Sequence, residues 1–208
     1  MLRDAAVGLI AQRLGNRSDL TARIILEMQL VQADTLERHH WLPWFLETEF
    51  NDAVAGYGDP RISMPPEFLQ EIEDETLWMR NRSETEWQPL DRVASDQATK
   101  NTTTTGRPEA YTISGEYLVL LPYALDQDYL LSWRYYGAAT VLDTNIENKW
   151  LKYAPKLLIA ATCYALAEHV ERRELKPEFQ ADITAAWDTL YRLHTAREEA
   201  NRTRKMEA

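Results

Sequence analysis

Cysteine is almost missing from this 208-residue chain. Cys163 stands alone, which excludes an internal disulfide and any zinc or iron–sulfur centre built on several thiolates. Glycine is scarce: the seven glycines, at 8, 15, 56, 58, 106, 115 and 137, spell neither GxGxxG nor a phosphate loop ending in Gly-Lys-Ser/Thr. GxSxG, the mark of a serine-hydrolase elbow, is absent as well. The longest nearly apolar run, Leu157 to Ala167, has 11 residues, where a bilayer needs about 20. Arg3, Asp4, Gln12 and Arg13 interrupt the opening residues, so no charged-then-apolar leader is expected. These features predict a soluble protein kept in a reducing compartment, with no membrane partner.

Basic charge is also in short supply. The chain has 33 acidic and 23 basic residues, a net charge of -10. Proteins that grip nucleic acid carry a basic stripe to displace counterions from phosphates, so tight DNA binding is not expected. The excess is local: between Trp41 and Lys100 there are 13 Asp and Glu against 5 Lys and Arg. Such a surface promotes solubility and repels DNA.

What is present divides into three textures. Residues 1–40 read as helical: Ala5, Ala6, Leu9, Ile10 and Arg13 fall at helical spacing until Gly15-Asn16 breaks the pattern. Ser18 is the expected N-cap of a second helix, which sets Leu20, Ile24, Met28, Val31 and Thr35 on one face, with Ile25 and Leu36 beside it. Residues 41–142 have β texture, opened by Pro43, which forbids a continuing helix. Ala110–Ser114 and Tyr117–Leu121 flank Gly115-Glu116 as a hairpin, and Tyr129–Tyr136 is a further strand. Asp91–Lys100 reads as one short helix, and Asn101–Gly106 as a loop with nothing to bury. Residues 143–208 are helical again. Pro155 and Pro177 each suit a first turn. In the last helix the apolar spacing ends at His194, while helix-forming residues continue beyond it. The fold class expected is α+β, an α-helical bundle of N- and C-terminal helices with a β-rich central insertion.

No catalytic, cofactor or metal constellation stands out. Glu37-x-x-His40 has the spacing of ligands in di-iron bundles, but no second such pair occurs. The plainer reading has His39 and His40 close a helix and complement its negative end. Cys163 sits in the most apolar helix, where burial makes a thiol inert. Glu71, Glu73, Asp74 and Glu75 offer many carboxylates and select none, as a solvated charged face does. Aromatics, by contrast, are plentiful, with seven Trp and ten Tyr. Each can be packed core. Taken together, Trp41, Trp44, Phe45, Trp78, Trp87 and their neighbours suggest a subunit interface, where large amphipathic rings give contact area at low entropic cost.

Several blocks in a fixed order carry a resemblance. An amphipathic N-terminal helix leads to Leu42-Pro43-Trp44-Phe45-Leu46, then to Met64-Pro65-Pro66-Glu67-Phe68-Leu69 and Gly106-Arg107-Pro108-Glu109-Ala110-Tyr111. Leu118 to Pro122 and Tyr135-Tyr136 follow, and Asn148-Lys149-Trp150-Leu151 leads to Pro155-Lys156-Leu157-Leu158. Over residues 18–172 the chain resembles the head–tail adaptor (connector or head-completion) proteins of tailed bacteriophages. One departure is Tyr123-Ala124-Leu125-Asp126, which stands where the family tends to place a second proline.

The resemblance implies a non-enzymatic virion protein at the head–tail interface, assembled in the host cytoplasm. It implies a homo-oligomeric ring, commonly dodecameric, under the portal, which extends the DNA channel and receives the tail or nozzle. On that reading Arg192, Arg197, Arg202, Arg204 and Lys205 are portal-interface candidates. Trp41, Trp44, Phe45, Trp78 and Trp87 become candidates for contacts with subunits or tail. Glu71, Glu73, Asp74 and Glu75 would then line the channel or rim without gripping DNA. The alternatives are another tail ring, such as a stopper or tail terminator, or a small acidic metal-dependent enzyme using Glu37 and His40.

Overall fold

The most apolar stretch of the chain forms a helix buried on nearly every side, which fixes where the first of two cores lies. The computed structural model describes residues 1–72, 77–94, 105–121 and 124–207. The protein is mixed α and β. Its contacts divide it into two compact units, Met1–Leu46 with Ala138–Ala208, and Glu47–Gly137.

The first unit is helical. It contains α1 (Arg3–Arg13), α2 (Thr21–Leu30), a π-helical turn (Val31–Leu36), α3 (Lys149–Tyr153), α4 (Pro155–Leu166) and α5 (Lys176–Glu207). Helix α4 buries every residue from Leu157 to Cys163, as expected of a helix apolar all round. The π turn and all four other helices pack on it. Burial pushes the Cys163 thiol up to about 12, so it stays protonated and inert. Helix α1 turns Ala6, Val7, Ile10, Ala11 and Leu14 inward, whereas Ala5 and Leu9 of the expected face stay exposed. The rotation is possible because α1 carries apolar residues on more than one side. Gly15, at φ +91, ends this helix, and a Cβ there would lie 3.0 Å from the Arg172 guanidinium.

Two further expectations are corrected in the second helix. Ser18 does not cap it through its side chain: Ser18–Leu20 form a 3-10 turn, and the Thr21 hydroxyl donates to the Ser18 carbonyl at 2.9 Å. Ile24, Met28 and Val31 are buried, but the next buried apolar residue is Leu36 and Thr35 is exposed. The π turn winds one extra residue into the spiral, so the inward position arrives one residue late.

The second unit is built from strands. These are β1 (Glu47–Ala55), β2 (Arg61–Ser63), β3 (Phe68–Glu71), β4 (Leu77–Asn81), β5 (Gln88–Arg92), β6 (Thr105–Gly106), β7 (Ala110–Ser114), β8 (Tyr117–Leu121), β9 (Ala124–Leu125) and β10 (Tyr129–Gly137). The main sheet runs β1-β10-β4-β5-β7-β8-β2, with β3 also on β10, while β6 and β9 pair separately. The β5–β7 ladder is parallel in a sheet otherwise antiparallel. The β7–β8 hairpin closes with Ser114 opposite Tyr117, and Gly115 takes the positive φ that a two-residue turn requires. Strand β10 alternates, burying Tyr129, Leu131, Trp133 and Tyr135, which join Leu77, Met79, Leu90, Tyr111 and Leu120 in one core.

Asp91 and Arg92, read from sequence as the start of a helix, end strand β5. Residues 95–104 of the helix and loop expectations lie outside the described residues. The strand unit begins at Glu47 and ends at Gly137, so 41–46 and 138–142 group with the helices and not with the strands. Their apolar side chains explain why: Leu42, Phe45, Leu46, Ala139 and Leu142 are buried, and Phe45 lies edge-on to Trp150 of α3 at 5.0 Å.

Candidate functional site

The π turn that displaces Thr35 also directs two polar side chains into the helical unit. Glu37 Oε1 accepts from Gln32 Nε2 at 3.0 Å, from the Ala139 backbone N–H at 3.0 Å and from the Trp150 indole N–H at 2.9 Å. Gln32 Nε2 also donates to the Ala139 carbonyl at 2.9 Å, and its Oε1 accepts from Asn148 Nδ2 at 2.8 Å. Asn148 caps α3, accepting from the Leu151 N–H at 3.0 Å. Glu37, Gln32 and Asn148 thus clamp the end of the second helix to residues 139–151. Removal from water holds the Glu37 carboxyl above its ordinary range, against the pull of its three donors. Its bonded oxygen faces N–H donors, which is a fit for a structural acceptor and not for a cation ligand.

The proposed Glu37–His40 ligand pair is not formed. The regular winding ends at Leu36, and Glu37 turns inward while His40 is exposed. Among the described residues, no group of three or more His, Cys, Asp and Glu could hold a metal ion. His39 does not close the helix through its side chain either. Its ring stacks on Trp187 of α5 with centroids 4.4 Å apart, and the Trp41 backbone N–H donates to its Nδ1 at 3.3 Å. Burial lowers the His39 pKa.

From His39 onward the chain lays aromatic side chains against α3 and α5. Pro43 prevents helix, and a 3-10 turn at Trp44–Leu46 follows, closed by the Leu46 N–H on the Pro43 carbonyl at 3.0 Å. Trp41 meets His194 edge-on at 5.1 Å and Tyr191 at 5.6 Å. Trp44 packs on Tyr153 at 6.2 Å, and the Arg197 guanidinium stands 5.9 Å from its ring centroid. Lys152 Nζ lies 5.0 Å from the Tyr153 ring centroid. The inner members of this cluster, Phe45 and Trp150, are buried; Trp41 and Trp44 are half-buried; Tyr153 and Tyr191 are 45% and 59% exposed.

Two sets of candidates that sequence kept apart therefore meet. Arg197 lies over Trp44, and Trp41 sits on the helix that carries Arg192. Arg192 and Arg197 are exposed, and Arg202, Arg204 and Lys205 fall on the last turns of α5. Phe45 leaves the interface set, since its ring is buried between Trp150 and Tyr153. Tyr153 and Lys152 belong to the surface and were missed. Their only signal was position, just after the Asn148 cap in a helix of five residues. Elsewhere in the helical unit, a groove of about 520 Å³ lies between α1, α4 and α5, lined by Leu9, Ile159 and Ala186, with Arg13 paired to Asp182 on its wall.

In the strand unit Trp78 points outward between buried Leu77 and Met79 and is 40% exposed. Trp87 is half-buried, with the Arg80 guanidinium 4.7 Å from its centroid, and nearby Arg107 makes a two-pronged pair with Glu84 at 2.8 Å on both arms. Glu71 is no free rim charge: it pairs with Arg92 at 2.6 Å and accepts from the buried Tyr111 hydroxyl at 3.3 Å. Glu73, Asp74 and Glu75 lie outside the described residues. Among the described residues no helix is long and apolar enough to cross a membrane. No family model and no curated protein matches the chain.

Proposed function

We propose that this chain is a structural virion protein, a head–tail adaptor that forms a ring beneath the portal of a tailed bacteriophage. Its fold is taken as a helical bundle carrying a β-rich insertion, with α5 reaching toward the portal and the strand unit contributing an acidic surface past which DNA slides. The observation that carries the reading is α5 itself. This helix of 32 residues is anchored through Phe179, Leu190 and His194, yet it continues to Glu207 with Ala196, Arg197, Glu199 and Ala200 all exposed. A helix that outlasts its own packing is suited to meeting another protein. The ordered blocks of resemblance, with Asn148 and Trp150 now at the heart of the polar clamp, supply the rest of the support.

The test is native mass of the purified chain, alone and mixed with the portal ring encoded beside it. The reading expects a shift to one portal plus about a dozen copies, the closed symmetry of a ring. Deleting residues 195–208 should abolish that shift and leave the thermal midpoint nearly unchanged, because the removed turns bury little. A well-folded chain that produces no shift overturns the adaptor reading.

A further inference from the structure

We infer that Trp41, Trp44, Tyr153 and Tyr191, with Lys152 and Arg197 among them, form a single docking surface for an acidic protein segment that carries apolar side chains. The inference rests on the adaptor reading, under which that segment belongs to the portal ring. It changes what the contact is: a rigid aromatic floor on the folded body, and not the end of α5 alone.

Three observations carry it. The first is composition, since Trp, Tyr and Arg are the residue types that dominate binding energy at protein interfaces. Here they are contiguous: Tyr191 lies on Trp41, Trp44 on Tyr153 and Arg197 over Trp44, and the His194 ring joins the two groups by meeting both Trp41 and Trp44. The second is preorganisation. Trp41 and Trp44 are half-buried, with their inner edges held by His194 and Phe45, while Tyr153 stacks on Phe45 at 5.3 Å. Rings fixed before binding lose little entropy when a partner arrives. Charge is the third. In a chain of net -10, residues 192–208 carry five Lys and Arg against three Glu, and exposed Lys152 adds another cation beside Tyr153. Cations around an apolar centre complement carboxylates around an apolar ridge, and they steer association and register. Nucleic acid would use similar rings, but its unbroken run of phosphates meets the repulsion of an acidic protein more strongly than a segment whose carboxylates are interspersed with apolar side chains.

The experiment titrates the portal ring with the full-length chain and with Arg197→Glu, Lys152→Glu and Tyr191→Ser, using Arg61→Glu of the strand unit as control. All four positions are exposed, and each variant's thermal midpoint is recorded to establish folding. The three surface variants should each bind at least about tenfold more weakly. Arg61→Glu should bind like the parent, and parent affinity should fall as salt rises. A parent that does not bind the portal defeats the adaptor reading. A parent that binds, with all three variants unchanged, leaves that reading standing and overturns this one. Loss of self-association in the variants with portal affinity intact would make a second copy the occupant, also against the inference. Quenching of tryptophan fluorescence by a single-stranded oligonucleotide, abolished in Arg197→Glu while portal binding persists, would hand the surface to nucleic acid.

Discussion

Each unit ties carboxylates to its core, but in opposite ways. In the helical unit a carboxylate, Glu37, goes inside and collects neutral N–H donors from Gln32, Ala139 and Trp150. In the strand unit the carboxylates stay at the margin and receive the hydroxyls of core tyrosines: Tyr111 on Glu71, Tyr129 on Asp126, Tyr135 on Glu67. Two of those rims also hold arginine, Arg92 on Glu71 and, beside Asp126, Arg107 on Glu84. An interior acceptor fixes the path of the chain, because its donors come from three separate segments. A rim acceptor only finishes a ring that hydrophobic burial has already placed. The first kind of contact is expensive to damage and the second is cheap.

Substitutions at matched positions break or sharpen that contrast. Trp150→Ala should have the largest effect. Emptying a site this well buried costs about 3–5 kcal/mol, and the loss of one of Glu37's donors adds to it. Trp133→Ala in the strand core should cost the first amount without the addition. Urea unfolding of both variants measures the difference, and equal losses would mean that the clamp contributes nothing.

Glu37→Leu comes next. It strands the Ala139 and Trp150 N–H groups inside the unit, at about 1–3 kcal/mol for each unsatisfied donor. Glu37→Gln keeps an acceptor and should cost much less. The pair also gives a pH signature. The folded-state pKa of Glu37 is raised above its ordinary 4.5, so the native state holds the proton more tightly than the unfolded chain. The stabilisation this provides is complete below the unfolded value and is lost as pH rises through the raised one. Parent stability relative to Glu37→Gln should therefore fall on going from pH 4 toward neutrality, which denaturant titrations at a series of pH values will read. A difference that grows with pH would mean that the three donors outweigh the loss of hydration.

Tyr135→Phe should do least. It removes the 2.9 Å bond to Glu67 but keeps the buried ring, and Glu67 can turn to water. A loss of about 0.5–1.5 kcal/mol is expected in the same urea assay. A larger loss would place the rim carboxylates on a par with the interior one.

Local chemistry made part of this architecture readable in advance. The β7–β8 hairpin needed only Gly115 between two β-prone runs, and its register follows from the turn. Strand β10 shows its inward face by alternation, and α4 by being apolar throughout. What sequence missed has a common cause, a tertiary decision overriding a local pattern. Uniform winding placed Thr35 inward, but the π turn gives that place to Leu36 and sends Glu37 after it. Gln88–Arg92 looks too polar for a strand because only Leu90 is buried, yet β4 and β7 flank it on both sides. At the candidate surface, Trp41, Trp44 and Arg197 were each visible one at a time. That they share a surface depends on where α5 lies against residues 39–45, which no local spacing encodes.

The π turn has a consequence for how this sequence can change over generations. Each residue of an α-helix advances the spiral by about 100°, so dropping one residue between Val31 and Leu36 would let the segment relax into ordinary winding. The residues that follow would arrive rotated, and the Glu37 carboxylate would lose its alignment with the donors of Ala139 and Trp150. A change in length, tolerable in most loops, would act here as though several buried contacts had been mutated together. Descendants of this chain should therefore vary freely in side chain at exposed Ala33, Asp34 and Thr35, while the number of residues across the turn is held constant.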